Sequence, residues 1–128
     1  MSRIRVVAAV LFALPLIVFG ANDFIHVFTL PPGDGSDGAQ LLQAMRDGGL
    51  MTAIAASHVL VGALLLIPRT RFAAALAQIS ITLGIVAFHA TMLPAGLGFA
   101  LAMLTLNVLV LTDPCRLRSL VARDASAE

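Results

Sequence analysis

The chain has no Trp, no Tyr, no Lys and a single Cys, Cys115. Without Trp or Tyr it has no interfacial aromatic belt of the usual kind. One Cys cannot form an internal disulfide, and without a Cys-x-x-Cys pair thiol–disulfide redox chemistry has no basis. Charged residues make up only 12% of the chain and the formal net charge is +1, so nothing favours a nucleic-acid partner. With no charged residue between Phe72 and Thr112, a soluble globular class is excluded as well.

What is present is apolar. The composition is 59% hydrophobic over 128 residues, enough for one domain spanning 1–128. The run from Phe72 to Thr112 is 41 residues long. A bilayer core is crossed by about 20 helical residues, so this run holds two crossings. Its only break signal is Leu93-Pro94-Ala-Gly96-Leu-Gly98, where a helical hairpin turns.

Two further uncharged runs precede it. Val6 to Asn22 follows Arg3 and Arg5, and Gly48 to Pro68 leads into the tight basic connection Pro68-Arg69-Thr70-Arg71. A basic start with an apolar centre also fits a signal peptide. However, Phe19 occupies a position where a cleavage site needs a small residue, so a retained helix is expected. Charge does not decide this point, because removing the first helix leaves the other assignments unchanged. Pro15 inside that helix predicts a kink. The helices are expected at about 4–28, 50–67, 72–93 and 97–112, with a polar tail at 113–128 begun by Asp113-Pro114.

Residues 30–49 form a long polar connection. Gly33-Asp34-Gly35-Ser36-Asp37-Gly38 has the spacing of a dinucleotide fingerprint, but no strand precedes it, so it reads as loop. No Glu closes it as a calcium loop. Asp37 with Gln40 has capping-box spacing, and Leu41, Leu42 and Met45 give one apolar face. These features predict a short interfacial helix at about 38–47. The fold expected is thus all-α: a four-helix transmembrane bundle with a surface helix in its long outer loop.

In that topology Arg3, Arg5, Arg69, Arg71, Arg116, Arg118 and Arg123 share one side, and only Arg46 lies on the other. The positive-inside rule then places both termini in the cytoplasm. A repeated His-x-x-x-Leu-Pro, at His26–Pro31 and His89–Pro94, suggests two similar hairpins, the first helix with the second and the third with the fourth. Cys115, beside arginines just past the last helix, reads as a free thiol, with acylation as the alternative.

Polar residues inside apolar spans are costly unless partnered, so they mark packing or function. Asp23 and His26 are neighbours on one face of the first helix, and Ala55, His58 and Gly62 share a face of the second. Gln78, Thr82 and His89 line one stripe of the third, and Asn107 stands in the fourth. Three readings are open. The polar groups bond between helices and fix packing. Or Asp23, His26, His58, Gln78, His89 and Asn107 line a pocket whose donors hold a quinone-like carbonyl. Or two of His26, His58 and His89, with Asp23, hold a metal or haem. Ser57 and His58 point about 100° apart on a helix, which gives nucleophilic catalysis no support.

The sequence resembles the DoxX-like family of small bacterial four-helix membrane proteins. The residues that carry the likeness are Phe19-Gly20-Ala21-Asn22-Asp23-Phe24, the Pro-containing outer loop, Val61-Gly62 through Pro68-Arg69, and Phe88-His89 before Pro94. It extends from about Val6 to Leu111. His58 departs from the pattern, since relatives often carry Glu there. The resemblance implies a multi-pass inner-membrane protein, accessory to a redox system or interacting with quinone, as in a subunit of a thiosulfate:quinone oxidoreductase. It implies a redox partner subunit or self-association, and no catalytic residues that carry over. A membrane assembly factor or a small transporter is the alternative.

Overall fold

The computed structural model describes residues 3–27 and 35–112. Five α-helices and one turn of 3₁₀-helix account for nearly all of them: α1 Arg3–Ile25, α2 Asp37–Asp47, α3 Leu50–Leu66, α4 Arg71–Thr91, the 3₁₀ turn Pro94–Gly96, and α5 Leu97–Leu111.

Each helix ends for a local reason. His26 N–H bonds back to the Asn22 carbonyl at 2.9 Å, and His26 itself has φ 50, a left-handed conformation that closes α1. The helix therefore stops at Ile25, short of the expected 28, and residue 28 lies outside the described residues. α2 is capped by Ser36, whose hydroxyl accepts from Ala39 N–H at 3.3 Å. The cap is thus one residue earlier than the expected Asp37, and Gln40 uses its side-chain amide to bond the Gly35 carbonyl at 3.0 Å. Asp37 falls in the first turn, where its charge faces the positive helix end.

Gly49, at φ 76, makes the corner after α2. α3 leaves that corner bent 80° from α2. At the far end of α3, Thr70 donates its hydroxyl to the Leu64 carbonyl at 2.8 Å, and Arg71 donates Nε to the Leu65 carbonyl at 2.7 Å. Arg71 is buried, and it satisfies carbonyls that the last helical turn leaves without partners.

The packing has a ring order. α1 lies against α3, α3 against α4, α4 against α5, and α5 against α1. The most extensive interfaces are α1 with α3 and α4 with α5, the pairing that the repeated His-x-x-x-Leu-Pro suggests. Small residues set the spacing. A Cβ on Gly20 of α1 would stand 2.7 Å from the Ala55 carbonyl oxygen, and one on Gly62 of α3 would stand 3.1 Å from that of Ala13. These two glycines let the antiparallel backbones of α1 and α3 approach closely. The core between the helices holds Ala8, Ala9, Phe12, Ala13, Leu65, Ala74 and Ala75.

The outside is apolar too. Val7, Leu11, Leu14 and Val18 on α1, Leu60 on α3, Leu76 and Leu83 on α4, and Leu101 and Val108 on α5 are all exposed. An apolar surface of this extent is suited to lipid, since soluble monomers keep such patches small. Three stretches, Arg3–Ile25, Arg71–Thr91 and Pro94–Leu111, are long and apolar enough to cross a membrane. These are the features of a membrane protein.

Candidate functional site

The polar residues of the helix interior gather on α4 and α5. Gln78 and Thr82, one turn apart on α4, are both buried, and so is Asn107 on α5. Asn107 donates Nδ2–H to the Thr82 hydroxyl at 3.1 Å, and that hydroxyl donates in turn to the Gln78 backbone carbonyl at 3.1 Å. Thr82 is therefore a relay that joins α5 to α4.

The rest of the cluster is unsatisfied. Both side-chain amide atoms of Gln78, Oδ1 of Asn107 and Nε2 of His58 are buried and have no hydrogen-bond partner. In an apolar interior each such group costs about 1–3 kcal/mol. Four of them close together is a large debt for a helix assembly to carry with no return.

A cavity of ≈ 90 Å³ adjoins them. Pro15, Leu16 and Phe19 of α1, His58 of α3, Gln78, Thr82 and Ile85 of α4, and Phe99, Ala100 and Met103 of α5 line it. Its surface is almost wholly apolar, and the amide of Gln78 is set back in the wall. A hydrogen bond from inside the cavity to Gln78 or His58 would therefore need a side-chain adjustment. The volume is below the roughly 150 Å³ that admits a benzene ring, so an aromatic ligand also needs the walls to give.

Of the six residues singled out from sequence, His58 and Gln78 line this cavity, and Asn107 is tied to it through Thr82. The other three stand elsewhere. His26 is exposed beyond the end of α1. Asp23, half-buried near that same end, is not part of the lining. His89 lies at the far end of α4, where its Nδ1 donates to the Leu93 carbonyl at 2.9 Å and its ring sits against Gly96. A carbonyl only accepts, so the Nδ1 of His89 carries the proton, and the residue caps the α4 turn.

The expected pocket of Asp23, His26, His58, Gln78, His89 and Asn107 is thus reduced to His58, Gln78 and Asn107 with Thr82. His26, His58, His89 and Asp23 do not supply a three-ligand metal set. Among the described residues no group of three or more His, Cys, Asp or Glu could hold a metal ion.

Phe19, Phe99 and Met103 are cavity residues that sequence reasoning did not single out. Nothing in a run of apolar residues distinguishes the few that face a cavity. Arg71 was legible as a basic flank, but its inward turn onto the end of α3 was not. No family model matches the chain, and no curated protein or solved structure does.

Proposed function

We propose that this chain is a DoxX-like integral membrane protein that binds a small carbonyl-bearing molecule of the quinone class and serves a membrane redox system as an accessory subunit. The observation that carries the reading is the fully buried Gln78 amide, with neither atom partnered, in the wall of an apolar cavity. A ligand carbonyl would accept from Gln78 Nε2, and a protonated oxygen on the ligand could donate to Gln78 Oε1 or to a deprotonated His58 Nε2. The apolar wall would hold the ring.

In this reading the membrane is bacterial and inner, both termini are cytoplasmic, and four helices cross. α1 and α4 meet the length requirement directly, and α5 meets it together with the 3₁₀ turn before it, as Pro94–Leu111. α3 has 17 residues, at the short end of the usual range, and runs alongside α1 over its length. α2, bent 80° from α3, then lies along the outer surface.

A thermal-shift titration of the detergent-solubilised protein with a short-chain benzoquinone tests the binding. A ligand at 100 times its Kd adds about 2.7 kcal/mol to stability. The wild-type melting temperature should rise with the quinone and that of Gln78→Leu should not. Equal shifts in the two proteins, or none in either, would remove the pocket.

One observation favours a second reading. The Asn107–Thr82 bond fastens α5 to α4 and needs no ligand to explain it. If the polar residues only pack helices, the chain is a non-enzymatic assembly factor, and Gln78→Leu leaves its function intact.

A further inference from the structure

Of the residues lining the cavity, only Phe19 and Phe99 are exposed, at 48% and 52%. The others are buried or half-buried. The two rings meet edge to face with centroids 5.7 Å apart, one from α1 and one from α5. Each has cavity on one side and the outer surface of the helix assembly on the other.

The surface outside them is apolar. Val18 is exposed next to Phe19 on α1, and Ala102, one turn after Phe99, is exposed on α5; the charged residue nearest along either helix, Asp23, is half-buried one turn beyond Phe19. No charged residue occurs from Val6 to Asn22 or from Phe72 to Thr112. Phe19 lies six residues before the end of α1, about 9 Å along its axis, and Phe99 five residues into the apolar stretch Pro94–Leu111, so the seam falls inside both candidate spans.

We infer that the Phe19–Phe99 seam between α1 and α5 is a side opening to the lipid, and that the ligand is a membrane-dissolved molecule whose ring lies inside while an apolar tail extends through the seam. The inference rests on the pocket reading and adds to it a route and a ligand class. It also accounts for the cavity being too small for a ring as it stands. The two aromatic leaves close over a partly collapsed space, and an edge-to-face contact is weak enough to part. A tail left in the lipid needs no room among the helices.

The test uses the full chain with Phe19→Cys and Phe99→Cys in a Cys115→Ser background, which leaves the new pair as its only thiols. The protein is placed in lipid nanodiscs and loaded with a tritiated benzoquinone bearing a decyl tail. Exchange against unlabelled compound is timed before and after the pair is bridged with a short bifunctional methanethiosulfonate. Bridging should slow exchange by about tenfold or more, and reduction of the bridge should restore it in the same sample, which serves as the folding control.

A tailless benzoquinone should bind more weakly to the unbridged protein than the decyl compound, after correction for their concentrations in the lipid. Binding with an exchange rate indifferent to the bridge would overturn the side opening and leave the pocket standing. Absence of saturable binding to both the unbridged pair and the wild-type chain would overturn the pocket and the opening together.

Discussion

Asn107 on α5 donates its side-chain amide to the Thr82 hydroxyl on α4 at 3.1 Å, and both residues are buried. It is a polar tie between two apolar helices whose neighbouring groups, Asn107 Oδ1 and the Gln78 amide, find no partner. Helix contact in a membrane gains little from the hydrophobic effect, so ties of this kind and close backbone approach set the packing.

Thr82→Val removes the tie while keeping the shape. It leaves Asn107 Nδ2 without this acceptor and should lower stability by about 1 kcal/mol, in line with interhelical hydrogen bonds in membrane proteins. Reversible unfolding in mixed detergent micelles measures it. An unchanged unfolding midpoint would mean that Asn107 finds another acceptor at no cost.

Gly20 and Gly84 make a matched pair of controls. A methyl group on Gly20 meets the Ala55 carbonyl at 2.7 Å, whereas nothing lies within 4 Å of the same atom on Gly84. Gly20→Ala should destabilise by about 1–3 kcal/mol as α1 is forced off α3. Gly84→Ala should be neutral, or stabilising by up to about 1 kcal/mol through helix propensity. Equal effects in the same unfolding assay would contradict the close α1–α3 approach.

Arg71 holds the last turn of α3 through the Leu65 carbonyl at 2.7 Å and the Leu66 carbonyl at 3.4 Å. Arg71→Ala leaves those acceptors short of a donor in a buried corner and should cost about 1–3 kcal/mol. Hydrogen exchange at the α3–α4 connection should rise in the variant. Arg71→Lys should recover only part of the loss, since an ammonium lacks the planar fork that reaches both carbonyls.

The proposed orientation can be read from one thiol. Cys115 is the sole Cys, and with both termini cytoplasmic a membrane-impermeant maleimide should label it in inside-out vesicles only. Ser36→Cys in a Cys115→Ser background should show the opposite pattern. Labelling of Cys115 from the outer face would reverse the topology.

Much of the fold is legible from sequence because it depends on unbroken apolar runs and a few breakers. Gly48-Gly49 and Pro68 bound α3, and the 3₁₀ turn falls at Pro94–Gly96. The site was harder to read. Periodicity tells which residues share a face of one helix, so Gln78 with Thr82, and Ala55 with Gly62, were readable. It does not tell which faces meet, nor how far a helix extends.

His26 left the expected pocket because α1 closes in a left-handed turn at that very residue. His89, on the stripe of Gln78, lies nearly two turns beyond Thr82, where a local carbonyl takes it. Asp23 stayed with the end of α1. Nothing marked Phe19 and Phe99 as cavity residues, because a cavity wall and a lipid-facing wall use the same residue types.

The most direct test of the pocket is native mass spectrometry of wild type and Gln78→Leu, purified side by side in mild detergent. Removing an unpartnered buried amide in favour of an apolar side chain should leave the fold as stable as before or more so, so loss of ligand cannot be put down to unfolding. The wild-type chain should retain one co-purified molecule with the mass of a quinone, and Gln78→Leu should come off bare. An identical adduct on both proteins, or a bare wild-type chain that takes up no added quinone, would contradict a ligand site at Gln78.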